Sequence, residues 1–155
     1  ELIKYAVKEF LDALHKEGAR VTCIGDLSLL PDDVQKTVVD LEAKTKHNSA
    51  FNLYIALAYG GRNEFVKAVQ RIVGEQPDPG SVTEAYVAEH LAAHPMPDPD
   101  LIIRTGGEQR LSGFLPWQSV YSELFFTKTY WPDFAKEEFL SILKEFGSRE
   151  RRYGR

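Results

Sequence analysis

Apolar residues recur at helical spacing near the start of the chain, at Leu2, Ile3, Ala6, Val7, Phe10, Leu11 and Leu14, and Gly18 follows as a stop. Residues 20–24 then read as a short buried strand and residues 25–28 as a turn. Pro31 suits a first helical position, and Asp32 and Asp33 suit the positive end of a helix dipole. The helix they open presents Val34, Val38, Leu41 and Thr45 on one face. Residues 51–58 are apolar on both faces apart from Asn52, the pattern of a strand covered by helices. Gly60-Gly61 breaks that run, and a helix follows with Phe65, Val66, Val69, Ile72 and Val73 as its apolar face. Residues 75–80 form a Pro/Gly loop, 82–93 a helix, and 95–99 an extended linker. Residues 101–104 read as a strand that runs into a loop over 105–113. A strand over 123–127 and a helix over 135–147 complete the pattern. Strand and helix alternate, which predicts an α/β fold with a mostly parallel central sheet covered by helices. No domain boundary is visible, so residues 1–155 read as a single domain.

The 155 residues suffice for one compact core, with 43% hydrophobic and 27% charged residues. No apolar run approaches the ~20 residues of a membrane-spanning helix. The net charge of −4 argues against nucleic-acid binding, and it means that an anionic ligand needs a local cluster of arginines. Cys23 is the one cysteine, so no internal disulfide forms, which fits a reducing compartment. It lies in the apolar run Val21-Thr22-Cys23-Ile24 and reads as a core residue.

The chemistry concentrates in residues 98–112, Asp98-Pro99-Asp100-Leu101-Ile102-Ile103-Arg104-Thr105-Gly106-Gly107-Glu108-Gln109-Arg110-Leu111-Ser112. A strand ends at Arg104 and turns through two glycines, and ligands of parallel sheets bind outside the C-terminal strand ends. The glycines let backbone N–H groups approach an anion. Arg104 and Arg110 carry fork-shaped donors for phosphate oxygens, and the Ser112 hydroxyl adds another. The chemistry alone leaves two readings open: a diphosphate site, or a solvated turn whose arginines pair with Glu108, Asp98 or Asp100.

The stretch Arg104 to Gln118, the segment Tyr121-Ser122-Glu123-Leu124-Phe125-Phe126-Thr127 and the block Trp131-Pro132-Asp133-Phe134 resemble the C-terminal signature of cis-prenyltransferases. Ile24-Gly25-Asp26, Tyr59-Gly60-Gly61-Arg62 and Arg151-Arg152-Tyr153-Gly154 match the same family in the same order. The resemblance implies Mg2+-dependent condensation of isopentenyl diphosphate with an allylic diphosphate, such as farnesyl or geranyl diphosphate, to a Z-polyprenyl diphosphate. By that resemblance Arg104, Arg110, Leu111 and Ser112 hold the diphosphate of isopentenyl diphosphate, and Glu123 contacts Mg2+. Arg152 and Gly154 match an Arg-x-Gly motif that reaches a neighbouring subunit, which implies a homodimer. A cytoplasmic enzyme, peripheral to the membrane through its lipid product, is the implied setting. The aromatic and apolar residues of 117–130 also favour a homodimer. The glycines of Tyr59-Gly60-Gly61-Arg62 permit a strand-to-helix turn, with Arg62 capping or pairing.

The chain departs from the family pattern in places. Gln109 stands where many members have histidine, and Ala58 where many have asparagine. The family's Asp-Gly-Asn-x-Arg motif, with its Mg2+-linked aspartate and allylic cradle, does not occur among these residues, nor does Ser-x-Glu-Asn-Trp. The family's catalytic aspartate and asparagine are expected upstream of Glu1, which leads to the expectation of a fragment inactive on its own. The alternative is a non-catalytic partner subunit that lends its Arg-x-Gly tail.

Other features carry plainer readings. His90 and His94 stand four apart, as zinc ligands can, but read as surface or helix-end residues. Trp117 and Trp131 read as packing anchors. Arg149, Arg151, Arg152 and Arg155 suit a helix C-terminus, and Asp133 reads as the N-cap of the last helix.

Overall fold

A computed structural model describes residues 13–149. Among them the chain forms two compact units, which divide between Met96 and Pro97. Most of the first predicted helix and the Arg152-Tyr153-Gly154 tail lie outside the described residues.

The first unit is built on strand β1 (Ala19–Ile24), helix α1 (Asp32–Thr45) and strand β2 (Phe51–Ala56). The strands run parallel, from Ala19 opposite Phe51 to Ile24 opposite Ala56. Helix α1 buries Val34, Val38, Leu41 and Thr45, the stripe that the spacing predicts. From β1, Ala19, Val21 and Ile24 are buried.

Two backbone N–H groups of β1 bond to α1 rather than to a strand. That of Val21 donates to Thr45 Oγ1 at 3.1 Å, and that of Cys23 to Glu42 Oε1 at 2.7 Å. Thr45 in turn donates to the Leu41 carbonyl at 2.9 Å, so its buried hydroxyl is used twice. Helix side chains thus satisfy donors that another strand would otherwise attract. Burial and the neighbouring Glu42 push the Cys23 thiol up to about 11, so it is a poor nucleophile at neutral pH.

Gly25 ends β1 with φ +123, and a Cβ there would lie 2.1 Å from the Leu57 carbonyl oxygen. Only glycine permits this approach of the two strand ends. Ala58 itself takes a positive φ of 47, so β2 stops at Ala56, short of the predicted end.

Helix α2 (Gly61–Glu75) buries only Ile72 of the apolar face that its spacing predicts. Gly61, Glu64, Ala68 and Ile72 are buried, whereas Phe65, Val66, Val69 and Val73 are 41–68% exposed. Glu64 is the reason. Only 5% exposed, it accepts the Tyr59 hydroxyl at 2.5 Å and the Ala93 N–H at 2.8 Å. A carboxyl group between two donors fixes the rotation of the helix against the apolar preference.

Helix α3 (Glu84–His90) is shorter than the predicted 82–93. Thr83 caps it through a bond from the Tyr86 N–H at 3.2 Å. Leu91 leaves helical geometry, and Leu91 and Ala93 are 4% and 1% exposed, with the Ala93 N–H on Glu64.

The second unit pairs strand β3 (Leu101–Arg104) in parallel with strand β4 (Glu123–Phe126) and ends in helix α4 (Lys136–Ser148). Asp133 is not the cap of α4. It closes a short 3-10 turn, Trp131–Asp133, and Ala135 holds the N-cap position without a side-chain bond. Trp131 is no packing anchor: it is 75% exposed and stacks on Phe134, with ring centroids 6.2 Å apart. The fold is α/β, with parallel strand pairs and helices.

Candidate functional site

Strand β3 delivers Arg104 to its C-terminal end, where the chain turns through Gly106 (φ +87) and Gly107 (φ +82). Their N–H groups donate to the Thr129 and Thr127 carbonyls at 2.9 and 2.8 Å. These two amides therefore tie the turn to the segment after β4. The positive φ values set the turn.

The side chains of Arg104 and Ser112 meet here. Arg104 Nη1 donates to Ser112 Oγ at 3.1 Å and to the Arg110 carbonyl oxygen. Ser112 has φ +51, which folds the loop back toward Arg104. Arg110 is exposed and pairs with Glu108, so the solvated-turn reading describes its present partner. Leu111 is half-buried, and its carbonyl accepts the Phe114 N–H at 3.0 Å. Thr127 Oγ1 donates to Glu138 on the first turn of α4, which secures the segment that receives the glycine amides. Arg104 at the end of β3 thus meets Ser112 and the Arg110 backbone across the loop in which Leu111 lies.

Glu123 lies elsewhere. It opens β4 opposite Leu101, whereas Arg104 stands opposite Phe126 at the other end of the pair. Three residues of strand separate these positions, roughly 10 Å, and alternation places them on opposite faces. The Glu123 side chain is 28% exposed and accepts from Arg149 Nη1 at 2.7 Å. Among the described residues no group of three or more His, Cys, Asp or Glu could hold a metal ion. A lone carboxylate still suits Mg2+, which takes one or two carboxylates and completes its shell with water and phosphate oxygens. Arg152 and Gly154 lie outside the described residues.

The first unit holds a cleft that the spacing did not single out. Gly25, Asp26, Tyr59, Asn63, Lys67 and Arg71 line it. Lys67 Nζ meets Asp26 Oδ2 at 2.6 Å, and Ser28 donates to Asp26 Oδ1 at 2.6 Å. These contacts hold the Asp26 carboxyl down at about 2. Tyr59-Gly60-Gly61-Arg62 does form the turn into α2, with Arg62 exposed on the first helical turn. The available signal was the polar stripe Asn63, Lys67, Arg71 at four-residue spacing, which reads equally as a solvated helix face.

His90 ends helix α3, as the helix-end reading expects. Its Nδ1 faces the Tyr86 carbonyl at 2.7 Å and its Nε2 faces both oxygens of Glu75 at 3.0 and 3.1 Å. Both ring nitrogens meet acceptors, so the ring is placed to carry two protons.

Against known proteins, the family described as putative undecaprenyl diphosphate synthase matches residues 1–154. The chain is 46% identical over 154 residues to an isoprenyl transferase of Streptococcus mutans, covering 94% of this chain and 62% of that protein. It is 45% identical over 148 residues to a tritrans,polycis-undecaprenyl-diphosphate synthase (geranylgeranyl-diphosphate specific) of Thermococcus kodakarensis, covering 93% of this chain and 56% of that one. Among solved structures, a probable undecaprenyl diphosphate synthase from Campylobacter jejuni superposes with a TM-score of 0.89 at 37% identity, covering 100% of this chain and 72% of that one. Lavandulyl diphosphate synthase from Lavandula x intermedia, in complex with dimethylallyl diphosphate, superposes with a TM-score of 0.95 at 30% identity, covering 99% of this chain and 68% of that one. The chain belongs to the undecaprenyl diphosphate synthase family of cis-prenyltransferases. It spans 56–62% of the length of these two curated relatives.

Proposed function

We propose that this chain serves Mg2+-dependent cis-prenyl transfer, in which isopentenyl diphosphate condenses with an allylic diphosphate to give a Z-polyprenyl diphosphate. The observation that carries the reading is Arg104 at the C-terminal end of β3, bonded to Ser112 and to the Arg110 backbone of the loop that follows. Arg104 and Ser112 provide a donor pair of fixed spacing, and Arg110 exchanges Glu108 for a phosphate oxygen. Their work is to bind and orient the diphosphate so that the double bond of isopentenyl diphosphate faces the allylic carbon. Leu111 carries the loop between the two polar contacts. When bound, Mg2+ would supply charge stabilisation to the departing diphosphate. Glu123 is the candidate carboxylate for it.

The separation of Glu123 from Arg104 on the strand pair is in keeping with a site assembled from two copies. Val120, Tyr121, Tyr130 and Trp131 are 61–75% exposed, an apolar surface that favours the proposed homodimer. Arg152 and Gly154 would then reach the neighbouring copy. No helix among the described residues is long and apolar enough to cross a membrane. Peripheral membrane contact through the lipid product belongs to this reading.

The test is steady-state kinetics with isopentenyl diphosphate, farnesyl diphosphate and Mg2+ in the full-length protein. Arg110→Ala should raise the KM for isopentenyl diphosphate by about ten-fold or more, since losing one charge-assisted bond costs ~1.5–3 kcal/mol. An unchanged KM in a folded variant would return the loop to the solvated-turn reading.

A further inference from the structure

Arg149 follows the last residue of α4, and three contacts converge on it. Its Nη1 donates to Glu123 Oε2 at 2.7 Å and its Nη2 to Glu145 Oε1 at 2.7 Å. Its guanidinium also lies over the Phe125 ring, 3.9 Å from the centroid. Phe125 and Glu123 are two residues apart on β4 and share a face of the strand, so the arginine covers the carboxylate from that face. This side chain is 36% exposed.

We propose that Arg149 is the resident counter-ion of Glu123 and that a divalent cation must compete with it for this carboxylate. The inference rests on the proposed role of Glu123 as the Mg2+ contact. A cation approaching Glu123 meets a carboxylate already neutralised by a guanidinium, so the pair attracts it weakly. When the cation takes Glu123, Arg149 keeps Glu145 and the face of Phe125, and no charge is left without a partner. The exchange therefore costs little on the arginine side, yet it keeps the affinity of the bare carboxylate low. Further negative charge, which a substrate diphosphate brings, strengthens that capture. Arg149 is thus a positioning residue that sets how readily Glu123 takes a metal.

The experiment is Mn2+ binding to the full chain, followed by water-proton relaxation, for the wild type, Arg149→Gln, Glu123→Gln and the double variant, with circular dichroism to confirm folding. Arg149→Gln should tighten Mn2+ binding by about ten-fold, the size of the repulsion between a guanidinium and a divalent ion a few ångström apart in solvent. Glu123→Gln should remove that Mn2+ site in both backgrounds. In a Mg2+ titration followed by side-chain NMR, the Arg149 Nε–H signal should move in the wild type and stay still in Glu123→Gln. Unchanged or weaker Mn2+ binding by a folded Arg149→Gln, with the site still lost in Glu123→Gln, would overturn the counter-ion role and leave the metal role of Glu123 standing. Wild-type Mn2+ affinity in Glu123→Gln would instead overturn the metal role, and the inference with it.

Discussion

Glu64→Ala is the most informative change in the first unit. The side chain is 5% exposed and joins three pieces of chain: helix α2, Tyr59 in the turn before it, and Ala93 beyond α3. Ala93 is 1% exposed, so its N–H has no route to solvent once the carboxyl group is gone. A buried donor left without a partner costs about 1–3 kcal/mol, and loss of the Tyr59 bond adds about 1 kcal/mol. The expected destabilisation is therefore about 2–4 kcal/mol. At roughly 3 °C per kcal/mol for a chain of this size, Tm should fall by about 6–12 °C. Glu64→Gln keeps a carbonyl acceptor for Ala93 and should cost no more than about 1 kcal/mol. Calorimetry reads the stability, and amide exchange at Ala93 reads the mechanism. Its N–H should exchange faster in the alanine variant than in the glutamine variant. If Glu64→Ala melted within 2 °C of the wild type with the Ala93 amide still protected, the rotation of α2 would have another cause.

Thr45→Ala should cost about 1–3 kcal/mol by thermal melting, because the Val21 N–H loses its acceptor in a fully buried place. Gly25→Ala should cost at least about 3 kcal/mol by the same measure, since a Cβ 2.1 Å from a backbone oxygen forces the strand ends apart at a positive φ. The clasp between α2 and α3 should be pH-dependent. The backbone carbonyl of Tyr86, then Glu75, raise His90 above its ordinary 6.5, with Glu89 also nearby, and the Tyr86 and His90 bonds lower Glu75 below 4.5. Stabilisation from His90 is complete below pH 6.5 and is lost as pH rises through its folded value; that from Glu75 is complete above 4.5 and is lost as pH falls through its own. The stability gap between wild type and His90→Gln should thus narrow as pH is raised past the folded value of His90, and a gap constant to pH 9 would contradict the clasp.

Much of the fold is legible in the sequence where one pattern decides the outcome. Helix α1 has a single apolar stripe at Val34, Val38, Leu41 and Thr45, and that stripe is what it buries. Strand β3 is an apolar run between a proline linker and a glycine turn, and it forms at the predicted residues. Pattern fails where a polar group outweighs it. Helix α2 follows Glu64 inward and leaves Phe65, Val66, Val69 and Val73 outside, because the buried Ala93 N–H and the half-buried Tyr59 hydroxyl share that carboxyl group. Residues 91–93 leave the helix to bury Leu91 and Ala93, a long-range preference that spacing along the chain does not contain.

The candidate site is legible in the same uneven way. Arg104, the Arg110 backbone and Ser112 meet across one short loop, so their proximity is legible locally. The use of the Gly106 and Gly107 amides depends on Thr127 and Thr129, some twenty residues away, and could not be read locally. The same holds for the partnership of Glu123 with Arg149, 26 residues apart.

The most direct test of the loop around Arg104 as a diphosphate site is calorimetric titration of the full-length protein with isopentenyl diphosphate, comparing wild type, Arg110→Ala and Arg110→Lys. Arg110 is 62% exposed and pairs with an exposed Glu108, so its removal leaves the fold in place. Arg110→Ala should weaken binding by about ten-fold or more, and Arg110→Lys should recover only part of that, because an ammonium cannot offer the forked pair of donors. Equal affinity in all three folded proteins would contradict the proposed site.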